Sequence, residues 1–217
     1  MKVIITGTTG MVGEGVLLEC LANPRITEVL SVSRKSTNRI HPKLKEYIVP
    51  DFLWLNENDY NLAGYDACFF CAGVSSLGMK ELEYTRITYD TTLNFAKALN
   101  PKSEMSFIYV SGMGTKGCEN SGSMWSRVKS KTENDLMKMP FKQVIALRLG
   151  FLKAVKGQKN LPTWYKFGSW LYPILRFFGV ANSLQEVAGI MICIADYGGY
   201  KKNVMEVKDI FYLIDLK

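Results

Sequence analysis

The chain has 217 residues, of which 47% are hydrophobic and 22% charged, with a formal net charge of +7 at pH 7. These values are typical of one globular domain with a sizeable core, so we predict a single domain over residues 1–217. No uninterrupted apolar run of about 18 residues occurs, which argues against a membrane-spanning helix. The basic residues are scattered, so we expect no nucleic-acid partner; a phosphorylated cofactor explains the charge equally well. Five irregularly spaced cysteines favour a reducing compartment, and we expect the cytoplasm.

The chain begins with a strand, a glycine-spaced turn and a helix. An apolar run at residues 3–5 precedes glycines at positions 7, 10 and 13, and a helix-forming stretch follows. Glycine lets the backbone turn sharply and approach a ligand, and the free N–H groups of a helix start attract negative charge. We therefore predict a pyrophosphate-binding turn. Its predicted residues are Gly7, Thr8, Thr9, Gly10, Met11, Val12 and Gly13.

Strand and helix patterns alternate along the rest of the chain. Strands are predicted at residues 2–6, 28–33, 46–49, 67–71, 106–111 and 143–149. Helices are predicted at residues 12–22, 79–99, 123–139 and 183–197, the last with a capping box formed by Ser183 and Glu186. The tail at 203–217 suggests a short strand and a closing helix. This order predicts an α/β fold of Rossmann type, a doubly wound parallel sheet with helices on both faces.

Basic residues follow the second predicted strand, where the sequence reads Ser33, Arg34, Lys35. Proteins that bind NAD commonly place a carboxylate about 20 residues beyond the glycines, for the ribose hydroxyls. A guanidinium at this point can instead hold a 2′-phosphate through two hydrogen bonds. The pattern favours NADP(H) over NAD(H), and the alternative is a pair of solvated loop cations.

Two further loops are predicted to contact the adenine half of the cofactor. Asp51 and Phe52 follow the third strand and suit an adenine amino group and an apolar ring edge. After the fourth strand, Cys71, Ala72 and Gly73 are small enough for a close backbone approach. Cys68 and Cys71 are three apart in a strand and should point to opposite faces, so we expect no pairing between them.

These residues together resemble the extended and atypical short-chain dehydrogenase/reductases, which include the NAD-dependent epimerase/dehydratases. The resemblance is greatest to small members similar to the Tat-interacting oxidoreductase group, and it covers nearly the whole chain. It rests on seven sequence stretches: TGTTGMVG, SRK, DF, FCAGV, YVSGMGT, RVKSKTEND and RLGF. It implies a nicotinamide cofactor and hydride transfer to or from a carbonyl or alcohol on a small molecule.

The resemblance also implies a catalytic group made of a serine, a tyrosine and a lysine. Ser111 matches the serine that polarises the substrate oxygen, and Lys129 matches the lysine that binds the nicotinamide ribose. The tyrosine position, four residues before that lysine, is occupied by Trp125. An indole N–H donates a hydrogen bond but does not shuttle protons near neutral pH. Tyr84 or Tyr89 could replace the missing phenol, although core packing is the simpler role for Tyr84.

Three functions stay open at this point. The first is an NADP(H)-dependent oxidoreductase acting on an apolar small molecule, in which Trp125 shapes the pocket. The second is a protein that binds NADP(H) without turnover, as a redox sensor or scaffold. The third is a nucleotide-sugar epimerase or dehydratase. No spacing typical of metal ligands occurs, and we expect no metal.

Residues 151–200 are predicted to cover the substrate side of the site. Within them, an aromatic stretch could form one apolar helical stripe, interrupted at Pro173. The favoured interpretation is that this stretch forms a lid over the substrate pocket, and the next is that it forms part of the core or a homodimer surface. Peripheral membrane contact is not favoured. The stripe residues are Trp164, Phe167, Leu171, Ile174 and Phe178.

Overall fold

The computed structural model describes residues 1–101, 104–118, 120, 122–198, 200 and 202–210, without the side chains of Trp164, Lys166 and Phe167. Its main element is a seven-stranded parallel sheet with the strand order β3-β2-β1-β4-β5-β6-β9. The strands are β1 (Lys2–Thr6), β2 (Glu28–Ser33), β3 (Leu44–Ile48), β4 (Ala67–Phe70), β5 (Ser106–Gly112), β6 (Gln143–Leu149) and β9 (Val204–Glu206). The predicted doubly wound Rossmann fold is confirmed, and its strand order reverses between β1 and β4.

The sheet is buried on both faces because its central strands are almost continuously apolar. In β1, Val3 and Ile5 face one hydrophobic layer and Ile4 faces the other, as the two-residue period of a strand requires. Cys68 and Cys71 divide between the same two layers, as predicted. The core therefore consists of two layers of side chains, one on each face of the β-sheet.

Helices cover both faces of the sheet. They are α1 (Met11–Ala22), α2 (Glu81–Thr85), α3 (Thr91–Ala98), α4 (Met124–Leu136), α5 (Thr163–Gly168), α6 (Tyr172–Phe177) and α7 (Leu184–Tyr197). α1 packs against α7 on one face, while α3 and α4 pack together on the other. Ser183 caps α7 in the predicted capping box with Glu186.

The helix predicted over 79–99 is interrupted by a π-helical turn at Arg86–Asp90. The N–H of Thr91 donates to the carbonyl of Arg86, five residues earlier. A π-turn inserts one residue into an α-helix and is found often at functional sites. The apolar period alone does not reveal it, because one extra residue changes the hydrogen-bond register more than the pattern of burial.

A second, two-stranded parallel sheet brackets the aromatic stretch. It pairs β7 (Phe151–Lys153) with β8 (Ala181–Ser183), and α5, a 3₁₀ turn at Ser169–Leu171 and α6 lie between them. In the tail, β9 agrees with the predicted short strand, whereas most of the predicted closing helix falls at 211–217, outside the described residues.

Candidate functional site

A cavity of about 640 Å³ lies where the carboxyl ends of β1, β2 and β4 meet. Its position beside the reversal of strand order is where open α/β sheets bind ligands, and its volume is in the range of small-molecule sites. Its walls come from the turn after β1, the end of β2, residues 50–53, residues 71–74 and the α2–α3 region.

The glycines of the turn after β1 are required by close backbone packing. Gly7 has φ +67°, and a Cβ placed on it would lie 2.8 Å from backbone atoms of Ala72. A Cβ on Gly13 would lie 2.2 Å from the carbonyl oxygen of Gly7. The Thr6 hydroxyl oxygen accepts the N–H groups of Cys71 and Ala72, both at 3.0 Å. The turn, the start of α1 and the loop after β4 are thus held as one unit.

The start of α1 is open to the cavity. Gly10 is its N-cap residue and provides no side-chain cap, and its own N–H donates to the Gly7 carbonyl at 2.9 Å. Gly10, Met11 and Val12 line the cavity. First-turn N–H groups that lack a side-chain cap attract phosphate oxygens, and the helix dipole strengthens this attraction. The residues present therefore fit a pyrophosphate.

The predicted turn residues divide into two groups. Five of them line the cavity: Gly7, Thr9, Gly10, Met11 and Val12. Thr8 instead points into the core, where its hydroxyl lies 2.7 Å from that of Ser31, and Gly13 supports the turn from inside the helix. These two residues shape the turn rather than contact the cavity.

The segment after β2 brings only part of its predicted residues to the cavity. Ser33 and Arg34 line it, whereas Lys35 is exposed to solvent and is not among the lining residues. The Ser33 hydroxyl donates to the Lys35 carbonyl at 2.6 Å, which fixes the bend that carries Arg34. The bend thus fixes the backbone position of Arg34, whose guanidinium is predicted to bind a 2′-phosphate.

The adenine-side residues predicted from sequence all line the cavity. These are Asp51, Phe52, Cys71, Ala72 and Gly73. Asp51 caps a 3₁₀ turn by accepting the Leu53 N–H at 3.0 Å, and the Phe52 ring is buried 4.9 Å from that of Phe95. Burial raises the pKa of the Cys71 thiol to about 12, so this group is a neutral, apolar part of the wall.

Sequence reasoning missed the cavity wall contributed by the α2–α3 region. Its residues are Glu83, Arg86, Ile87 and Thr91. The only available signal was their place in a long helical pattern, which indicates neither the π-turn nor the side that faces the cavity. Arg86 lies 3.8 Å from the Asp51 carboxylate across the cavity wall.

The Ser111 hydroxyl, predicted to polarise a substrate oxygen, is bonded to another side chain in the structure. Its hydroxyl is buried and donates to the Glu133 carboxylate, which also accepts from Thr115 at 2.8 Å and from Arg148 at 2.6 Å. Arg148 continues to Glu206 at 3.0 Å. At the end of β5, Ser111 faces α4 because alternate residues of a strand face opposite sides, so its hydroxyl belongs to a buried ion-pair cluster and not to the cavity lining.

Trp125 lies against two glycines, Gly112 at the end of β5 and Gly114 in the loop after it. A Cβ on Gly112 would lie 3.2 Å from the indole ring, and one on Gly114 would lie 3.8 Å from it. The ring therefore occupies the space beside the strand end that a side chain at 112 would need. This packing depends on small residues at both glycine positions.

Lys129 lies one helical turn after Trp125 and is half-buried. Its Nζ donates to the Val110 carbonyl at 3.2 Å and lies 5.3 Å from the centre of the Tyr109 ring. Burial lowers the pKa of Lys129 from its ordinary value of 10.5 to about 8, although the Glu133 carboxylate opposes this shift. Like Ser111, Lys129 is not among the residues that line the cavity, and two of the three N–H donors of its ammonium are left for a ligand such as a ribose.

The two phenols considered as replacements, Tyr84 and Tyr89, have different surroundings. Tyr84 is 2% exposed, in line with a core position. The Tyr89 hydroxyl donates to Asp135 at 2.7 Å on the outer part of α4. The position four residues before Lys129 holds the indole of Trp125.

A buried carboxylate that the sequence did not reveal lies beside the turn after β1. Glu14 is fully buried and accepts the N–H groups of Lys159 and Asn160 at 2.7–3.0 Å, together with the guanidinium of Arg39. Burial alone would raise the pKa of Glu14, but these hydrogen bonds outweigh it and lower the pKa. Glu14 thus connects the start of α1 to residues 159–160, and Lys159 lies 145 residues after Glu14 in the sequence.

The predicted apolar stripe can be followed only in part, because the side chains of Trp164 and Phe167 lie outside the described part of the structure. Ile174 and Phe178 are exposed, as are Trp170 and Phe177, and none of these four lines the cavity. The stretch is split by a 3₁₀ turn at Ser169–Leu171, which breaks the helical period that the stripe requires. Its role as a substrate-side cover stays a prediction.

The described part of the chain holds neither a candidate metal site nor a candidate membrane-spanning helix. Within it, no three His, Cys, Asp or Glu side chains are grouped closely enough to hold a metal ion. Within the same residues, no helix combines the length and apolar character needed to cross a bilayer.

Several curated proteins are similar to this chain in sequence, although no family model matches it. "Protein FMP52, mitochondrial" of Kluyveromyces lactis is 25% identical over 197 residues, which are 88% of this chain and 84% of that protein. "Protein fmp52-1, mitochondrial" of Aspergillus terreus is 26% identical over 165 residues, 73% of this chain and 70% of the relative. Their naming contradicts the predicted cytoplasmic location. Free thiols persist in any reducing environment, so the cysteines did not single out the cytoplasm.

Solved structures of similar fold belong to nucleotide-sugar and sugar-acid enzymes. MoeE5 in complex with UDP-glucose and NAD has a TM-score of 0.71 at 18% identity, covering 100% of this chain and 82% of that one. UDP-glucuronic acid 4-epimerase from Bacillus cereus, with UDP-glucuronic acid and NAD, has 0.67 at 12%, covering 95% and 77%. Glucuronic acid dehydrogenase from Chromohalobacter salexigens has 0.71 at 13%, covering 94% and 75%. At these identities the likeness is one of fold: the chain has the Rossmann architecture of NAD-dependent epimerases and dehydrogenases.

Proposed function

We propose that this chain binds NADP(H) in the cavity at the carboxyl ends of β1, β2 and β4. One observation carries the proposal: the uncapped start of α1 opens into that cavity beside glycines whose close packing tolerates no side chain. The first turn of α1 would hold the pyrophosphate, and Lys129 would hold the nicotinamide ribose. Solved proteins of the same fold bind NAD, which supports a nicotinamide dinucleotide here. The relatives' names extend the proposal to a mitochondrial protein.

The preference for the phosphorylated coenzyme rests on Arg34. It lines the cavity from the end of β2, and no carboxylate follows directly that would repel a 2′-phosphate. The test is titration with NADPH and NADH of the wild type, Arg34→Glu and the control Arg25→Glu. Arg25 also carries a guanidinium but is paired with Asp196 and does not line the cavity.

Arg34→Glu should weaken NADPH binding more than tenfold and change NADH binding little, because charge repulsion acts only on the 2′-phosphate. Arg25→Glu should leave both affinities unchanged. A wild type that binds NADH more tightly than NADPH would refute the choice of coenzyme. A wild type that binds neither would refute the whole proposal.

For the chemistry, we propose an oxidoreductase that acts on a carbonyl or alcohol of a small molecule. The bound coenzyme supplies or accepts the hydride. Lys129 would orient the nicotinamide ribose, and the Trp125 indole would limit the space for substrate. Without a phenol, acid–base assistance of about 10²–10⁴ in rate is absent, so we expect slow turnover.

A second function is favoured by the arrangement at the end of β5. Because the Ser111 hydroxyl is committed to Glu133 and the tyrosine position holds Trp125, the chain can bind coenzyme without turnover and act as a sensor of the NADPH/NADP⁺ balance. Consumption of NADPH with a panel of aldehydes and quinones separates the two functions. Turnover by the wild type supports the oxidoreductase; turnover gained only in Trp125→Tyr supports the sensor.

A further inference from the structure

The cavity has a charged pair on its adenine side, in which Asp51 is the residue predicted from sequence to suit the adenine amino group and Arg86 has no role so far. Asp51 follows β3 and Arg86 begins the π-turn, and both line the cavity. The nearest carboxylate oxygen of Asp51 lies 3.8 Å from Nη2 of Arg86. This distance is too long for a hydrogen bond, so both groups can still bond to a ligand.

The two oxygens of Asp51 have different surroundings. Oδ1 accepts the Leu53 N–H at 3.0 Å and is held by the 3₁₀ turn, whereas Oδ2 is the oxygen that faces Arg86. The Asp51 side chain is 32% exposed and that of Arg86 is 67% exposed. The cavity thus presents one hydrogen-bond acceptor and one flexible donor next to each other.

The π-turn brings Arg86 to this position. The Arg86 carbonyl accepts both the N–H and, at 2.9 Å, the hydroxyl of Thr91. This fixes the wide turn so that Arg86, Ile87 and Thr91 all reach the cavity wall. Ile87 and Val74 supply apolar surface beside the charged pair, as a flat aromatic base requires.

We propose that Arg86, next to the Asp51 predicted to accept the adenine amino group, donates to a ring nitrogen of the base and so determines the selection of adenine. Adenine presents an amino donor beside a ring-nitrogen acceptor, so a carboxylate and a guanidinium side by side complement it. Hypoxanthine presents a carbonyl oxygen in place of the amino group and would face the carboxylate with a second acceptor. Arg86 is the specificity-determining residue that this inference adds, and the inference rests on the proposed NADP(H) binding.

The experiment compares two coenzymes that differ only in the base: NADPH and reduced nicotinamide hypoxanthine dinucleotide phosphate. Dissociation constants are measured by fluorescence titration for the wild type, Arg86→Met, Arg86→Lys and the control Arg25→Met. Methionine keeps the length of the side chain but removes the donor. Since Arg86 is exposed, the fold should survive, and thermal unfolding checks this.

The wild type should prefer the adenine coenzyme about tenfold or more. Arg86→Met should reduce that preference at least threefold, Arg86→Lys should retain most of it, and Arg25→Met should match the wild type. A preference unchanged in Arg86→Met, or an equal loss of affinity for both coenzymes, overturns the inference while NADP(H) binding stands. A wild type that binds neither coenzyme overturns the proposed function itself.

Discussion

The turn after β1 and the end of β5 lie on the same edge of the sheet, yet their polar groups are used in opposite ways. After β1, backbone N–H groups without a side-chain cap face a cavity, and glycines at positions 7 and 10 leave the backbone accessible beside them. At the end of β5, Ser111 and Thr115 are closed onto Glu133, and an indole fills the adjoining space. The backbone groups of one region are open to the cavity, whereas the polar side chains of the other are bonded to one another.

The difference teaches which part of a Rossmann site depends on backbone and which on side chains. A phosphate-binding turn is made of main-chain geometry, so it persists as long as the glycines do. A proton-transfer site depends on two or three side chains and is lost when these form other contacts. Coenzyme binding and catalysis can therefore separate within one fold.

The largest effect on stability should come from Glu133→Gln, which changes the buried carboxylate at the end of β5. Glu133 is 1% exposed and accepts bonds from Ser111, Thr115 and Arg148, so its loss leaves a buried guanidinium poorly paired. We expect unfolding free energy to fall by about 3–5 kcal/mol in urea titrations, with NADPH affinity little changed. Glu81→Gln, at an exposed pair with Arg127, should cost below about 1 kcal/mol. Equal losses in the two variants would contradict the cluster's importance.

Gly13→Ala tests the turn after β1, whose backbone N–H groups face the cavity. The added Cβ would meet the Gly7 carbonyl oxygen at 2.2 Å, and a backbone atom cannot move aside as a side chain can. We expect a loss of about 3 kcal/mol and at least a tenfold weaker NADPH affinity. The control is Gly189→Ala in α7, where a Cβ meets no atom within 4 Å; it should stabilise by up to about 1 kcal/mol. Unimpaired NADPH binding by Gly13→Ala would show that the turn is not the site.

Ser111→Ala distinguishes a structural hydroxyl from a catalytic one. Removing the bond to Glu133 should cost about 1–2 kcal/mol of stability, because Thr115 and Arg148 still satisfy the carboxylate. Ser36→Ala removes an exposed serine–glutamate bond of 2.7 Å and should cost less. A Ser111→Ala protein of unchanged stability that loses turnover would return this residue to the catalytic role.

The last prediction, for Lys129→Met, is an effect that depends on pH. The pKa of Lys129 is lowered to about 8 in the fold from 10.5, so between these values the unfolded chain binds more protons than the folded one. Stability of the wild type should therefore rise relative to Lys129→Met as pH increases through that window. Urea unfolding at several pH values measures the difference. Parallel curves for the two proteins would contradict the burial of this ammonium.

The sheet could be predicted from sequence to a large extent. β1, β2 and β6 have the predicted bounds because each is an apolar run ended by a clear turn or polar residue. β3 is shifted to Leu44–Ile48, since an edge strand with exposed positions carries a weaker apolar signal. The glycine turn was found because its requirements are local.

The candidate site was less predictable because its side chains depend on distant partners. Ser111 is turned from the cavity by Glu133, 22 residues later, and Glu14 binds a loop 145 residues away. Only one signal was available for Glu133: it follows Lys129 by four residues on the same helical face. Arg86 was hidden because a π-turn leaves no trace in a three- to four-residue period.

The packing of Trp125 on Gly112 also constrains how such a chain could change over evolution. A hydroxyl-bearing residue at 112 would meet the indole at 3.2 Å, while a smaller ring at 125 would leave a gap beside the glycine. Each substitution is unfavourable in the background of the other residue, so their effects are epistatic. A tyrosine at 125 would therefore be accommodated best together with a residue larger than glycine at 112, so we expect these two positions to change together.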